Sequence, residues 1–218
     1  MTSPRLLVIQ HNLDDGPNEL GAPLAAAGLY IDVWDTRIYA EPPNPLDVYD
    51  GVLSLGGLHS AADEDGRPAL TAERELLAEA LEHRTPILGV CLGAQILARA
   101  AGGSSHPADQ AEIGWCSVDL EPAAEGDRLL GGLGRGMQVF QYHYDTFALP
   151  DEATVLGRNG ELTEAYRIGD NAWGLQFHIE VNPGQVYGWL GTYGDWRTAR
   201  NVYDAADQLI NQAAKAAE

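Results

Sequence analysis

The chain has 218 residues, 45% of them hydrophobic, and a formal net charge of −19, which suits one globular domain with a full core. The acidity argues against nucleic acid and anionic membranes as partners. No apolar run reaches about 18 residues and no basic-then-apolar leader is present, so neither a membrane span nor a signal peptide is expected.

In chain order, residues 5–10 (RLLVIQ) read as a buried first strand. Residues 18–29, rich in alanine and leucine, read as a helix ending near Gly28. Residues 30–34 read as a second strand and 52–55 as a third, which runs into Gly56-Gly57. The polar stretch 58–68 forms a loop. Residues 71–82 predict a helix, with Thr71 as N-cap, early glutamates and apolar positions at helical spacing. A short apolar strand then ends at Gly89-Val90-Cys91-Leu92-Gly93, and a helix follows at once. Strands alternating with helices of this length predict a mostly parallel sheet with helices on both faces.

After Gly103 the texture changes. Residues 115–120, 137–142, 153–156, 164–168 and 172–178 are short strand-like runs with turn signals between them. They predict a meander of antiparallel strands added to the sheet. From Gly184 onward the chain reads as helical, and 199–217 is amphipathic. No repeat and no long linker divides the sequence, so residues 1–218 are expected to form one α/β domain.

The glycine-flanked cysteine is the thiol version of a nucleophile elbow, in which a strand turns sharply into a helix. A nucleophile on so tight a turn needs small neighbours, here Gly89 and Gly93. The turn places Cys91 at a helix N-terminus, where unpaired N–H groups and the helix dipole favour an anion. The same groups can bind an oxyanion. The only other cysteine, Cys116, reads as a buried structural thiol on an alternating strand. Two cysteines make no disulfide framework, and a reducing cytoplasm is the expected location.

A thiol nucleophile needs a base and a group to orient it. His178 and Glu180, in Trp173-Gly-Leu-Gln-Phe-His178-Ile-Glu180, are the strongest pair. If the chain is extended there, both side chains lie on one face. Glu180 then accepts from one ring nitrogen while the other faces Cys91. Alone, such a pair also fits a surface contact or a stray metal ligand, but no third ligand stands at metal spacing and no metal is expected. The Gly56-Gly57 backbone is either an ordinary turn or, with the Leu92 N–H, an oxyanion hole. Gln95, one helical turn beyond Cys91, is a substrate contact or a polar residue on a half-exposed face. Tyr142-His143-Tyr144-Asp145 is a dense polar–aromatic segment. His143 is a second candidate base, ranked behind His178 because Glu180 orients the latter.

Taken together, Gly56-Gly57, Gly89-Val-Cys91-Leu-Gly93-Ala-Gln95 and Gln176-Phe-His178-Ile-Glu180 resemble the class I, triad-type glutamine amidotransferases. Glu112-Ile-Gly-Trp115 and 139–147 resemble the stand-alone members. The resemblance implies a flavodoxin-like sheet with added antiparallel strands. It implies that Cys91 attacks the side-chain amide of glutamine, releasing ammonia and leaving a glutamyl thioester that is hydrolysed to glutamate. His178 would shuttle protons, Gly57 and Leu92 would donate the oxyanion-hole N–H groups, and Gln95 with Tyr142, His143 and Tyr144 would line the substrate site. No cofactor is implied. Four positions depart from the family pattern: Leu58 and Ile179 stand where proline is usual, and Tyr142 and Tyr144 flank His143 where the family has small residues. Two phenol rings there reshape the pocket. The chain shows no ammonia-consuming module. Three readings follow: a glutaminase or amidotransferase serving a separate synthase subunit, a stand-alone hydrolase of another γ-glutamyl or amide compound, or a non-catalytic binding protein on the same scaffold.

Overall fold

The computed structural model describes residues 3–13 and 15–193. In its first half β1 (Arg5–Gln10), α1 (Asn18–Ala26), β2 (Tyr30–Asp35), β3 (Gly51–Ser54), α2 (Pro68–Glu82), β4 (Ile87–Val90) and α3 (Leu92–Ala100) alternate as expected. Then come β5 (Ser104–Leu120), β6 (Gly136–Ala148), β7 (Ala153–Asn159) and β8 (Leu162–Ile168), before β9 (Ala172–Leu175) returns to the centre and α4 (Pro183–Tyr193) follows. All nine strands form one sheet in the order β2-β1-β3-β4-β9-β8-β7-β5-β6. The side from β2 to β9 is parallel; the side from β9 to β6 is antiparallel. This is the parallel centre with an antiparallel extension that the sequence predicts.

The inner parallel strands are mostly apolar because helices cover both their faces, whereas the edge strand β2 carries Asp32 and Asp35. Side chains alternate along β1, so Leu7 and Ile9 join Leu77 of α2 and Leu97 of α3 in one core cluster. Val8 joins Leu53 and Val90 in another, against Leu20 and Leu24 of α1.

Several boundaries differ from the expectation. α2 begins at Pro68, not behind an N-cap at Thr71; proline suits the first turn, where its missing N–H has no partner to lose. β5 and β6 are far longer than the predicted 115–120 and 137–142. Their pairing runs from Ser104↔Ala148 to Asp119↔Gly136, with a register shift between Pro107 and Glu112. The polar first half of β5 is mostly exposed, so no hydrophobic alternation announced it. β9 stops at Leu175 instead of 178, and the chain bends through 176–180. Cys116 is half-buried on β5, not fully buried. The expected amphipathic stretch 199–217 lies outside the described residues. No helix among the described residues is long and apolar enough to cross a membrane.

The C-terminal ends of the parallel strands bring the chemistry to one edge. His11 follows β1, Gly56-Gly57 follows β3, Cys91 follows β4, and 176–180 follows β9. Open α/β sheets gather ligands at this edge.

Candidate active site

Cys91 sits between β4 and α3 with φ 52° and ψ −108°, a conformation that L-residues rarely adopt. Three backbone bonds hold the strained turn: Cys91 N–H to Leu175 O at 2.8 Å, Gly93 N–H to Leu55 O at 3.1 Å, and Gln95 N–H to Cys91 O at 3.1 Å. The glycines are needed for close approach. A Cβ on Gly89 would lie 2.6 Å from the Gly93 carbonyl oxygen, and one on Gly93 would strike Ser54.

Gly57 lies against the elbow, where a Cβ would meet His11 Cβ and Leu92 Cδ2, each at 2.7 Å. Among the described residues, neither the Gly57 nor the Leu92 N–H donates to a protein acceptor. Unpaired N–H groups beside a thiol are of the kind that can bind a negatively charged oxygen.

His178 is 7% exposed and Glu180 1%. The imidazole Nδ1–H donates to Glu180 Oε1 at 2.8 Å, and Glu180 Oε2 accepts the Ile179 N–H at 2.9 Å. The two side chains meet across a bend, not along an extended strand as first expected; His178 N–H donating to Phe140 O at 2.9 Å anchors the bend. Trp189 packs edge-on against the imidazole, 5.0 Å between centroids, and donates its own N–H to Asp15 Oδ1 at 2.7 Å. The remaining ring nitrogen, Nε2, has no hydrogen bond of full geometry. A Cβ on Gly56 would sit 3.1 Å from His178 Cε1 and 3.6 Å from Cys91 Cβ, so ring and thiol converge on one spot. Burial works against charge on His178, but the charges of Glu180 and Cys91 outweigh it and hold its pKa well above the usual histidine value.

A cavity of about 320 Å³ opens above Cys91, lined by the Gly57–Ser60 loop, Leu92, Gln95 and the Tyr142–Asp145 segment. Cys91 Sγ is 4.0 Å from the Tyr142 carbonyl oxygen. Gln95 props this wall: its amide nitrogen donates to Asp145 O at 2.9 Å and Gln176 Oε1 at 3.2 Å. The Tyr142 ring packs on Trp189 at 5.4 Å, and Tyr144 stands 55% exposed at the rim.

His143 lines the same cavity, with its ring held by Asp145 and Glu112. Its Nδ1–H donates to Asp145 O at 2.9 Å, and Nε2 lies 3.2 Å from Glu112 Oε2. Glu112, His143 and Glu164 have ligand atoms within 4.8 Å of one another, a spacing that also suits a metal ion. Gln141 donates to Glu164, and Asn159 donates to Glu112 at 2.5 Å. Burial, together with the charge of Glu112, pushes the Glu164 carboxyl up to about 8, so a proton on Glu164 relieves the two carboxylates. Burial also pushes Glu112 up, but hydrogen bonds with His143, Glu164 and Asn159 outweigh it and hold that carboxyl below its usual value.

Sequence reasoning passed over His11, Glu73 and Ser54. His11 Nε2 meets Glu73 Oε2 at 2.7 Å, and Ser54 Oγ–H donates to Glu73 Oε1 at 2.6 Å, all fully buried. A signal was available: Glu73 falls on the buried stripe Ala69, Leu70, Leu76, Leu77 and Ala80 of α2. A carboxylate on such a stripe needs a buried partner.

A family model for class-I glutamine amidotransferases matches residues 18–186. A glutamine-hydrolyzing GMP synthase from Porphyromonas gingivalis is 35% identical over 146 residues, 66% of this chain and 27% of its own length. The chain thus spans about a quarter of that relative. A glutamine amidotransferase-like protein from Salmonella typhimurium is 30% identical over 166 residues, covering 73% of this chain and 69% of its own. A gamma-glutamyl-L-1-hydroxyisopropylamide hydrolase from a Pseudomonas species is 29% identical over 187 residues, 80% of this chain and 60% of its own. Among solved structures, a glutamine amidotransferase from Thermotoga maritima superposes with a TM-score of 0.84 at 29% identity, over 98% of this chain and 91% of its own. One from Methylobacillus flagellatus gives 0.79 at 28% identity, over 88% and 76%.

Proposed function

Because the chain belongs to the class-I glutamine amidotransferase family, we propose that it cleaves a glutamine-type carboxamide with Cys91, His178 and Glu180. His178 takes the thiol proton through Nε2 while Glu180 holds Nδ1–H and steadies the imidazolium. The Cys91 sulfur adds to the amide carbon. Negative charge develops on the carbonyl oxygen, where the N–H groups of Gly57 and Leu92 meet it. His178 returns its proton to the departing nitrogen, and ammonia leaves. A water then attacks the thioester with His178 as base, releasing the carboxylate and restoring the thiol.

One arrangement carries this reading: a strained, buried thiol has an oriented imidazole on one side and two unpaired N–H groups on the other. The ammonia either passes to a separate synthase partner or is simply lost. A second reading, hydrolysis of a larger γ-glutamyl compound, is supported by the two tyrosines on the cavity wall and by the name of the Pseudomonas relative.

The test is release of ammonia and glutamate from glutamine, beside release of glutamate and the free amine from a panel of γ-glutamyl amides. Wild type should cleave at least one of them. Cys91→Ala should lose at least about 10⁴-fold in turnover while keeping its thermal midpoint. Full turnover in Cys91→Ala would overturn the reading.

A further inference from the structure

We propose that His11 is a positioning residue that locks the Gly56–Gly57 peptide so that the Gly57 N–H points into the oxyanion site, a role resting on the proposed function of Gly57. The Gly56 carbonyl and the Gly57 N–H belong to one peptide unit. That unit is planar and trans, so the two groups point in opposite directions. Whatever holds the carbonyl therefore aims the N–H. His11 Nδ1–H holds it, donating to Gly56 O at 3.1 Å.

The hold is rigid because every polar atom of it is paired. His11 is 1% exposed, with Nε2 on Glu73 Oε2 at 2.7 Å and Ser54 Oγ–H on Glu73 Oε1 at 2.6 Å. Nδ1 faces a carbonyl oxygen and Nε2 a carboxyl oxygen, an arrangement that favours a doubly protonated ring. Burial works against that charge, but Glu73 and the Gly56 carbonyl outweigh it and raise the His11 pKa. Ser54 touches the other half of the site, since its atoms fill the space where a Gly93 Cβ would stand. One buried chain from α2 thereby supports both oxyanion donors. A glycine pair has little steric barrier to turning this peptide over, and a turned peptide would aim the Gly56 carbonyl at the developing negative charge. His11 removes that alternative.

Two isosteres separate the contacts. His11→Asn keeps a donor where Nδ1 was and gives up Glu73. His11→Gln keeps the reach to Glu73 and gives up Gly56. His11→Gln should lose about 10- to 100-fold in kcat with KM within about 3-fold, since an oxyanion donor is worth this much or more. Its Cys91 should still be alkylated by iodoacetamide within about 2-fold of wild type, a displacement that forms no oxyanion. His11→Asn should stay within about 5-fold of wild-type kcat and melt at a lower temperature. Wild-type kcat in His11→Gln, or equal losses in both variants, would overturn the proposal. Should His11→Gln not fold, His11→Asn against His11→Ala gives the same contrast, because both give up Glu73. If wild type cleaves no amide, the proposed function fails, and ¹⁵N-glycine spectra decide separately. The Gly57 amide resonance should move in His11→Gln and hold in His11→Asn; an unmoved resonance in His11→Gln overturns the role.

Discussion

The two sides of the sheet bury histidine against glutamate in different ways. On the parallel side, His11 and Glu73 have all their side-chain polar atoms paired, and so does Glu180; of these two histidine–glutamate pairs, only His178 Nε2 is left over, beside Cys91. On the antiparallel side, Glu112 Oε2, His143 Nε2, Glu164 Oε1 and Gln141 Oε1 are all buried without a fully formed hydrogen bond. A complete network fixes geometry, and a spare nitrogen within it is free for proton transfer. An incomplete network of two carboxylates stores a proton and makes the wall sensitive to pH. The difference separates the part of the molecule that would do chemistry from the part that would shape the pocket.

The sharpest test of this division substitutes one carboxylate on each side. Glu180→Gln forces an amide NH₂ against either His178 Nδ1–H or the Ile179 N–H, since both Glu180 oxygens are acceptors now. The ring then loses its tautomer or its anchor, and kcat should fall about 10²- to 10⁴-fold. Glu164→Gln should change kcat by less than about 3-fold, because the isosteric amide still donates to Glu112 and accepts from Gln141. Equal kcat losses in the two variants would erase the distinction.

Glu164→Gln should speak instead through stability. In the folded chain Glu164 keeps its proton up to about 8, whereas in the unfolded chain it releases it near the usual value of 4.5. Between these pH values the folded state binds the extra proton, so this group's contribution to stability falls as pH rises. From pH 6 to 8 the wild type should lose up to roughly 2–3 kcal/mol from this source, and Glu164→Gln should remove that part of the slope. Urea melts at the two pH values measure it. A stoichiometric divalent ion in purified protein would break the account, because a metal and not a proton would then balance the cluster.

The parallel side was largely legible in the sequence; on the antiparallel side the strands were legible, but their full length and their cross-strand pairing were not. Gly89-Val-Cys91-Leu-Gly93 announces itself because a strained turn admits few residues. Gly56-Gly57 and His178–Glu180 stand at strand ends, where the chain pattern already placed ligands. The strand across 106–112 carries no alternation, and its partner across the ladder is read only from pairing. The partner of His143 was hidden for the same reason. The histidine ring points at Glu112, its partner on the neighbouring strand, and cross-strand partners are invisible without register. The Glu73 signal lay on the apolar stripe of α2, but its partner, His11, is 62 residues away.

The smallest expected effect concerns the rim. Tyr142 and Tyr144 meet edge-on at 6.4 Å, yet they are not equivalent. Tyr142 packs on Trp189, which in turn touches His178 and bonds Asp15, so removing its ring disturbs the catalytic side as well. Tyr144 is 55% exposed and reaches the cavity from outside. Tyr144→Gly should therefore cost little stability, within about 1 kcal/mol including the backbone effect of glycine. Its consequence should fall on substrate choice. If the phenol contacts a substrate tail or narrows the entrance, the ratio of kcat/KM for glutamine to that for larger γ-glutamyl amides should move by about 3- to 10-fold. Tyr142→Ser should move the same ratio but also lower kcat for every substrate, through Trp189 and His178. A ratio unchanged within about 2-fold in both variants would mean that backbone atoms of the Tyr142–Asp145 segment, not its side chains, meet the substrate, and that the tyrosines serve packing alone.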